Sequence, residues 1–255
     1  MKEIVLRAED ISLYFGGLHA VDKVNFHIKE KQIVGLIGPN GAGKTSIFNL
    51  LTGVYLPNDG DILLDGKSVK GKKPYSINQL GIARTFQNIR LFKDMSVIDN
   101  VKTAMNTQMK YPMMAGVFRL PSYQKEERAV SRRAHELLEM MGLDDVSHDM
   151  ARNLPYGQQR KLEIVRALAS NPRVLLLDEP AAGMNPTETQ ELLETVQMIQ
   201  KEFDLSVLLI EHDMNFVMGI CEYIFVLDYG RIIATGEPED IRNNPQVIAA
   251  YLGGE

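Results

Sequence analysis

Apolar and polar residues follow one another in two different ways along this chain, and the difference predicts two kinds of strand. Continuous apolar runs at 33–37, 173–178 and 206–210 are typical of strands buried on both faces of a parallel sheet. Residues 20–28 alternate between apolar and polar positions, and a further strand-like run lies at 4–11. A short strand is also predicted at 82–86, directly before Gln87. We therefore expect a buried parallel sheet accompanied by half-buried strands near the N-terminus.

The pattern becomes helical at about residue 96. Ser96, with Asp99 three residues later, resembles a capping box and predicts a helix over 96–109. A looser segment at 111–121 precedes a second predicted helix at 122–141. Because this stretch interrupts the strand pattern, we interpret it as an inserted helical lobe.

The last part of the chain returns to alternating strands and helices. Asn185 and Pro186, with Glu188 as a capping-box acid, predict the start of a helix that runs to about residue 203. The remaining predictions are a helix that opens at 211–213, strands at 223–227 and 231–234, and short helices after Pro238 and Pro245.

Composition narrows the possible classes of protein. With 255 residues, 45% of them hydrophobic and 24% charged, the chain can form one α/β domain or a core with a small lobe. A net charge of −5 argues against a general nucleic-acid binder, which normally has a basic balance. A membrane-spanning helix needs about 18 consecutive apolar residues, and no apolar run approaches that length. The first residues do not resemble a signal peptide. We expect the chain to stay in the cytoplasm.

The residues from Gly38 to Thr45 fit the phosphate-binding pattern G-x-x-x-x-G-K-[ST], between a predicted strand and a predicted helix. Glycines allow the backbone to point successive N–H groups at an anion, and the helix N-terminus adds partial positive charge. Lys44 can reach the terminal phosphates, and Thr45 can offer its hydroxyl to Mg²⁺. We therefore predict a nucleotide-binding site. Its candidate residues are Gly38, Pro39, Asn40, Gly41, Ala42, Gly43, Lys44, Thr45 and Ser46.

Three further residues are candidates for chemistry on the nucleotide. Asp178 and Glu179 end a predicted buried strand, where parallel sheets bind ligands; the first acid can hold Mg²⁺ and the second can orient a water. His212, after another predicted strand, can contact a γ-phosphate. Acidic pairs often only cap turns and single histidines are often structural, but the phosphate loop favours the catalytic interpretation. The aromatic Phe15 either stacks on a purine base or plugs the end of a strand.

In this order and spacing, the motifs resemble those of the nucleotide-binding subunits of ATP-binding-cassette (ABC) transporters over nearly the whole chain. The match comprises the Walker A loop from Gly38 to Thr45, the Q-loop glutamine Gln87, the Walker B acids Asp178 and Glu179, and the switch histidine His212. The family signature, usually Leu-Ser-Gly-Gly-Gln, appears as Leu154, Pro155, Tyr156, Gly157 and Gln158.

Segments 156–163, 178–186, 242–245 and 250–253 resemble the ATPase subunits of branched-chain amino acid importers. Two residues depart from the broader family pattern. Pro155 replaces a serine whose hydroxyl would contact the γ-phosphate bound by a partner, and Asn185 replaces an aspartate. Both changes resemble this importer subgroup, so we interpret them as subgroup features.

The resemblance implies an α/β fold: a P-loop NTPase core, with helices on both faces of a mostly parallel sheet, an antiparallel β subdomain and an inserted α-helical lobe. The core would comprise 1–95 and 173–255, and the lobe with the signature segment 96–172. The resemblance also implies that Phe15 stacks on adenine. The implied catalytic residues are Glu179, His212, Lys44 and Gln87, and the implied Mg²⁺ ligands are Thr45, Gln87 and Asp178.

By the same resemblance, two cassettes would close head to tail on two ATP molecules, the signature segment of each facing the nucleotide of the other. The chain would hydrolyse ATP to energise an importer of branched-chain amino acids. Its partners would be a second cassette, identical or not, integral membrane permease subunits and, indirectly, a substrate-binding protein, with no nucleic acid. It would lie at the cytoplasmic face of the cell membrane as a peripheral subunit.

Three alternatives stay open at this point. The first is a sister ABC ATPase for another cargo, such as urea, another amino acid or a lipid. The second is a soluble cassette in DNA repair or translation, against which the single cassette and the short helical lobe argue. The third is a nucleotide binder that does not hydrolyse, against which the presence of Lys44, Asp178, Glu179 and His212 argues.

Overall fold

The computed structural model describes residues 2–105 and 121–252, with only the backbone for 121–123. Contacts between Cα atoms divide the chain into two units, the first formed by 1–87 and 173–255 and the second by 88–172. Residues 106–109 of a predicted helix and almost all of the looser segment at 111–121 lie outside the described part.

The first unit contains all of the described strands in two sheets. The strands are β1 (Ile4–Phe15), β2 (Leu18–Lys29), β3 (Ile33–Ile37), β4 (Asp59–Leu64), β5 (Lys67–Ser68), β6 (Ile82–Arg84), β7 (Val174–Asp178), β8 (Ser206–Ile210), β9 (Tyr223–Asp228) and β10 (Arg231–Gly236). The larger sheet has the order β10-β9-β3-β8-β7-β6, and only β10 within it is antiparallel to its neighbour. Every residue of β3, β7 and β8 is buried, as the continuous apolar runs predict. The α/β fold class with a mostly parallel sheet is confirmed.

The smaller sheet is antiparallel, in the order β2-β1-β4-β5. The predicted first strand was too short, because β1 continues beyond residue 11 to Phe15, which pairs with Leu18 across the turn. Asn58 supports this extension, since its side-chain oxygen accepts a hydrogen bond from the Tyr14 N–H at 2.8 Å. Phe15 is therefore the last residue of a strand and does not lie in a loop.

The helices of the first unit connect these strands. They are α1 (Lys44–Leu51), α2 (Pro74–Leu80), α6 (Pro186–Glu202), α7 (Met214–Ile220), α8 (Pro238–Arg242) and α9 (Pro245–Leu252). Helix α2 was not predicted, because its residues are mostly polar and carry little periodicity. Its limits were nevertheless visible, because proline occupies its first position and Gly81 ends it in the left-handed conformation with φ 112°.

The second unit is helical. It consists of α3 (Val97–Met105), α4 (Pro121–Met140) and α5 (Tyr156–Leu168), with short 3₁₀ turns at Asp144–Val146 and Ala151–Asn153. At the start of α3 the Asp99 N–H donates to the Ser96 hydroxyl at 3.1 Å, as predicted. The Asp99 carboxylate accepts from that hydroxyl at 2.6 Å, whereas a full capping box would use the backbone N–H of Ser96. No helix within 2–105 and 121–252 has the length and apolar character needed to cross a membrane.

Candidate functional site

The phosphate-binding loop lies against two strands at glycines where a side chain would clash with backbone atoms. Gly38 follows β3 with φ 152°, and a Cβ atom added there would lie 1.9 Å from the Leu227 carbonyl oxygen of β9. Gly43 has φ 106°, and its added Cβ would lie 2.4 Å from the Ala20 carbonyl oxygen of β2. The loop therefore depends on the positive φ and the missing side chain of glycine.

Lys44 is the first residue of α1 and its side chain is buried. Its ammonium donates to the carbonyl oxygens of Gly38 at 2.6 Å and Pro39 at 2.9 Å. Burial lowers the pKa of Lys44, while the nearby Glu179 and Asp178 carboxylates act in the opposite direction. The cation thus lies beside the loop and in the field of the predicted catalytic acid, Glu179, and of the predicted Mg²⁺ ligand, Asp178.

Glu179 brings together three of the predicted residues. Its carboxylate accepts from the side-chain amide of Gln87 at 2.6 Å and lies 2.5 Å from Nε2 of His212. The Glu179 backbone has φ 46°, a left-handed conformation that is rare for residues other than glycine, and its N–H donates to the Ile210 carbonyl at 2.9 Å. Strained backbone of this kind persists where the surrounding structure holds it and is common at functional sites.

Asp178 has a different neighbour, the cation Arg84 at the end of β6. Arg84 Nη2 lies 2.6 Å from Asp178 Oδ2, and the two side chains are 7% and 6% exposed. Nη1 of the same guanidinium donates to the Asn49 side chain of α1 at 2.8 Å. The guanidinium also lies over the rings of Phe48 and Phe86, at 5.3 and 5.1 Å. One buried cation therefore contacts the predicted Mg²⁺ ligand and the helix that follows the phosphate loop.

Arg84 was not predicted as a site residue, although the sequence carries a signal for it. A buried charge requires a partner, and Arg84 stands in a run predicted to be a strand, three residues before Gln87. That run was predicted as 82–86, but β6 ends at Arg84, because its ladder with β7 ends at the pairing of Arg84 with Leu176.

A cavity of about 890 Å³ lies in front of the phosphate loop. Its walls include residues 38–42, His212 and, from the C-terminal helix α9, Gln246 and Tyr251. Burial raises the pKa of the Tyr251 phenol, and a hydrogen bond with the Gly38 backbone acts in the opposite direction. No site residue was predicted in α9, where the only signal in the sequence is the similarity of 250–253 to an importer subgroup.

Phe15, the candidate for base stacking, has an exposed fraction of 46%. Its ring meets that of Tyr55 edge to face, with 5.4 Å between the centroids. A side chain that plugs the end of a strand would be buried, so this exposure favours the stacking alternative, which stays a prediction. Thr45, the second residue of α1, is also exposed.

The signature segment belongs to the second unit and begins α5. Pro155 is the N-cap residue, and in the described part of the chain no side chain caps this helix. Tyr156 is 44% exposed, and its hydroxyl accepts from Arg160 at 3.3 Å. Arg160 forms a buried ion pair with Glu163 at 2.8 Å, which fixes the first turns of the helix.

Asn185 caps α6 with the predicted capping box. Its side-chain oxygen accepts from the Glu188 N–H at 3.0 Å, and the Glu188 carboxylate accepts from the Asn185 N–H at 2.9 Å. The asparagine thus keeps the hydrogen-bonding role of an aspartate without its charge.

We expect Asn185→Ala to lower the free energy of unfolding by about 1 kcal/mol, because the first turn of α6 loses its acceptor. Urea unfolding followed by circular dichroism measures this change. Asn185→Asp is the matched control, since it keeps the acceptor and should stay within about 0.5 kcal/mol of the wild type. An alanine variant as stable as the aspartate variant would contradict the capping role.

Comparison with known proteins agrees with the arrangement of these motifs. Residues 21–182 match the family model described as ABC transporter, and residues 231–255 match the one described as branched-chain amino acid ATP-binding cassette transporter. The high-affinity branched-chain amino acid transport ATP-binding protein BraF of Pseudomonas aeruginosa is 46% identical over 253 residues, 99% of each chain. The protein LivG of Escherichia coli, described in the same words, is also 46% identical, over 99% of each chain.

Among solved structures, the ADP conformation of an ATP-binding cassette of an ABC transporter superposes with a TM-score of 0.85. It is 30% identical in sequence, and the match covers 99% of both chains. Identity of this extent over nearly the full length, together with a family model that spans more than half of the chain, establishes the family. The chain belongs to the ATP-binding cassettes of ABC transporters.

Proposed function

We propose that this chain binds and hydrolyses ATP to drive an importer of branched-chain amino acids. One observation carries the proposal: Glu179 lies between Gln87 and His212 at hydrogen-bonding distance, at the end of a strand in the same unit as the phosphate loop. Relatives that are 46% identical over 253 residues and named for branched-chain amino acid transport support the choice of cargo.

The phosphate loop and Lys44 bind the nucleotide phosphates in this proposal. The loop is seated against β2 and β9, so its backbone N–H groups are held in place before the ligand arrives, which lowers the entropy cost of binding. The Lys44 ammonium, which donates to two loop carbonyls, moves its hydrogen bonds to the terminal phosphates. The exposed ring of Phe15 stacks on the adenine.

The side chains proposed to hold Mg²⁺ offer the type of ligand that this ion prefers. The Thr45 hydroxyl, the Gln87 amide oxygen and the Asp178 carboxylate are all oxygen donors. When bound, Mg²⁺ would neutralise charge on the β- and γ-phosphates. Because Asp178 is paired with Arg84 at 2.6 Å, that guanidinium fixes the direction in which the carboxylate points.

Glu179 orients the attacking water in the proposed reaction and accepts its hydrogen bond as the water approaches the γ-phosphorus. The carboxylate is 13% exposed, so it is shielded from most of the solvent while still accessible to a ligand. His212 donates to the γ-phosphate as negative charge redistributes over its oxygens. Gln87, which donates to Glu179, keeps the second carboxylate oxygen in position.

The proposed assembly contains a second cassette and integral membrane permease subunits, with a substrate-binding protein acting indirectly. Residues 154–158 would face the ATP of the second cassette, where the Gly157 N–H and the uncapped start of α5 provide partial positive charge. The complex would place this chain at the cytoplasmic face of the membrane. ATP binding would close the two cassettes and hydrolysis would open them, which shifts the conformation of the permease.

Uptake by intact cells tests the proposed cargo. In a strain that lacks the gene for this chain, uptake of labelled leucine, isoleucine and valine should fall and should return with the wild-type gene. The Lys44→Ala variant, expressed to the same level, should not restore it. Labelled urea and a basic amino acid are measured in parallel. If the wild-type gene restored uptake of urea or of the basic amino acid only, the proposed branched-chain cargo would be wrong. The proposed ATPase activity would not be affected by that result.

A further inference from the structure

Glu211 is a buried carboxylate to which the proposed mechanism gives no role. It follows β8 directly, precedes His212 in the chain and is 3% exposed. A carboxylate is rarely buried to this degree unless its oxygens are hydrogen-bonded, so its partners indicate what it does.

The two oxygens of Glu211 bind two different loops. Oε1 accepts from the N–H of Ala181 at 2.6 Å, and Ala181 lies two residues after Glu179. Oε2 accepts from the N–H of His212 at 3.0 Å. One carboxylate therefore joins the loop that carries the water-orienting acid to the loop that carries the switch histidine.

The electrostatic surroundings agree with this bridging position. Burial raises the pKa of Glu211, and the Glu179 carboxylate contributes in the same direction. Hydrogen bonds from the N–H groups of Ala181, His212 and Asp213 oppose that shift. The carboxylate is thus bound by the backbone of both loops, and these contacts would be lost if either loop moved away.

The distance between the loops determines whether His212 can contact Glu179. Nε2 of His212 lies 2.5 Å from Oε1 of Glu179, and the backbone of Glu179 is held at φ 46°. A shift of about 1 Å between catalytic groups can cost about 100-fold in rate, so a side chain that fixes this spacing controls the chemistry without touching the nucleotide.

We propose that Glu211 is a positioning residue for ATP hydrolysis: by accepting hydrogen bonds from Ala181 and His212, it holds Glu179 and His212 at contact distance. The inference rests on the proposed ATPase function and adds a residue to that site. It predicts that Glu211 affects turnover and leaves nucleotide binding nearly unchanged, because its hydrogen bonds go to Ala181 and His212, which lie outside the phosphate loop.

The discriminating variant is Glu211→Gln. Glutamine keeps one acceptor oxygen but places an NH₂ group against the other backbone N–H, so only one loop stays bound. We expect kcat to fall about 10- to 100-fold with KM for ATP within about twofold of the wild type. Glu202→Gln, the same change at an exposed position late in α6, is the matched control and should leave both constants unchanged. The assay uses the full-length chain with its copurifying subunits.

A double variant separates positioning from general support of the fold. If Glu211 acts through His212, then adding Glu211→Gln to His212→Ala should lower kcat by less than about twofold further. A purely structural role would instead give the full additional loss. Equal kcat for Glu211→Gln and the wild type, or full additivity with His212→Ala, would overturn the inference. A wild-type protein without ATPase activity would overturn the proposed function instead.

Hydrogen exchange provides a readout that needs no activity. The amide proton that loses its acceptor in Glu211→Gln, either that of Ala181 or that of His212, should exchange at least about tenfold faster than in the wild type. Glu211→Asp, which keeps the charge on a shorter side chain, is measured alongside in case the glutamine variant does not fold. Unchanged exchange at both amides in a folded variant would contradict the bridging contacts.

Discussion

Glu179→Gln should lower the rate of ATP hydrolysis by about 100- to 10,000-fold while ATP binding is retained. Glutamine has the shape of glutamate, so it can fill the space between Gln87 and His212, but its amide is a poor acceptor for the proton of the attacking water. The phosphate loop and Lys44 are unchanged. The loss should therefore appear in kcat and not in the affinity for nucleotide.

Two measurements check this result. Phosphate release gives the rate, and equilibrium binding of a fluorescent ATP analogue gives the affinity; Glu202→Gln serves as the surface control for both. Because the variant traps ATP, its mass in solution with and without Mg·ATP also reports pairing of the cassettes. A mass that doubles only with Mg·ATP would support closure through residues 154–158.

Other outcomes would redirect the interpretation. Hydrolysis within about threefold of the wild type would remove Glu179 from its proposed role. A variant that binds ATP but remains monomeric at high concentration would argue against self-pairing and would favour a non-identical partner cassette. If the wild type and Glu179→Gln both bound ATP weakly, the phosphate loop would be the cause of the low activity and Glu179 would not.

The parts of the fold that the sequence predicted well are those with a local cause. β3, β7 and β8 are continuous apolar runs, and such runs have few alternatives to burial in a parallel sheet. The phosphate loop was equally visible, because its glycines and Lys44 are required by local backbone geometry. Family membership, inferred from the order of the motifs, is confirmed by the comparisons.

What the sequence did not reveal depends on contacts between distant residues. Glu211 and Ala181 are 30 residues apart, and Arg84 and Asp178 are 94 apart. The local sequence around these residues does not predict either of the two contacts. β1 was predicted too short for a related reason: its last residues are held by pairing with β2 and by Asn58, which lies 44 residues from Tyr14. The roles of the signature residues depend on a partner subunit and remain proposals.

Arg84→Met should lower the free energy of unfolding by about 3–5 kcal/mol, the largest effect on stability that we predict. The substitution leaves the Asp178 carboxylate, whose side chain is 6% exposed, as a buried charge without its cation. Methionine has a similar length and can occupy the apolar space between Phe48 and Phe86, so lost volume should contribute little. Most of the change therefore reports the loss of the ion pair with Arg84 by the buried Asp178 carboxylate.

Urea unfolding of four proteins isolates the contribution of the Arg84–Asp178 pair to the free energy of unfolding. The four proteins are the wild type, Arg84→Met, Asp178→Asn and the double variant. Because asparagine removes the unpaired charge, the double variant should be more stable than Arg84→Met alone. Arg133→Met is the matched control: Arg133 pairs with Glu136 at the surface, with side chains 48% and 50% exposed, so its loss should cost less than about 1 kcal/mol. If the double variant were no more stable than Arg84→Met, the contact of Arg84 with Asn49 would be the source of its contribution, and Asp178 would not need the guanidinium to be accommodated in the core.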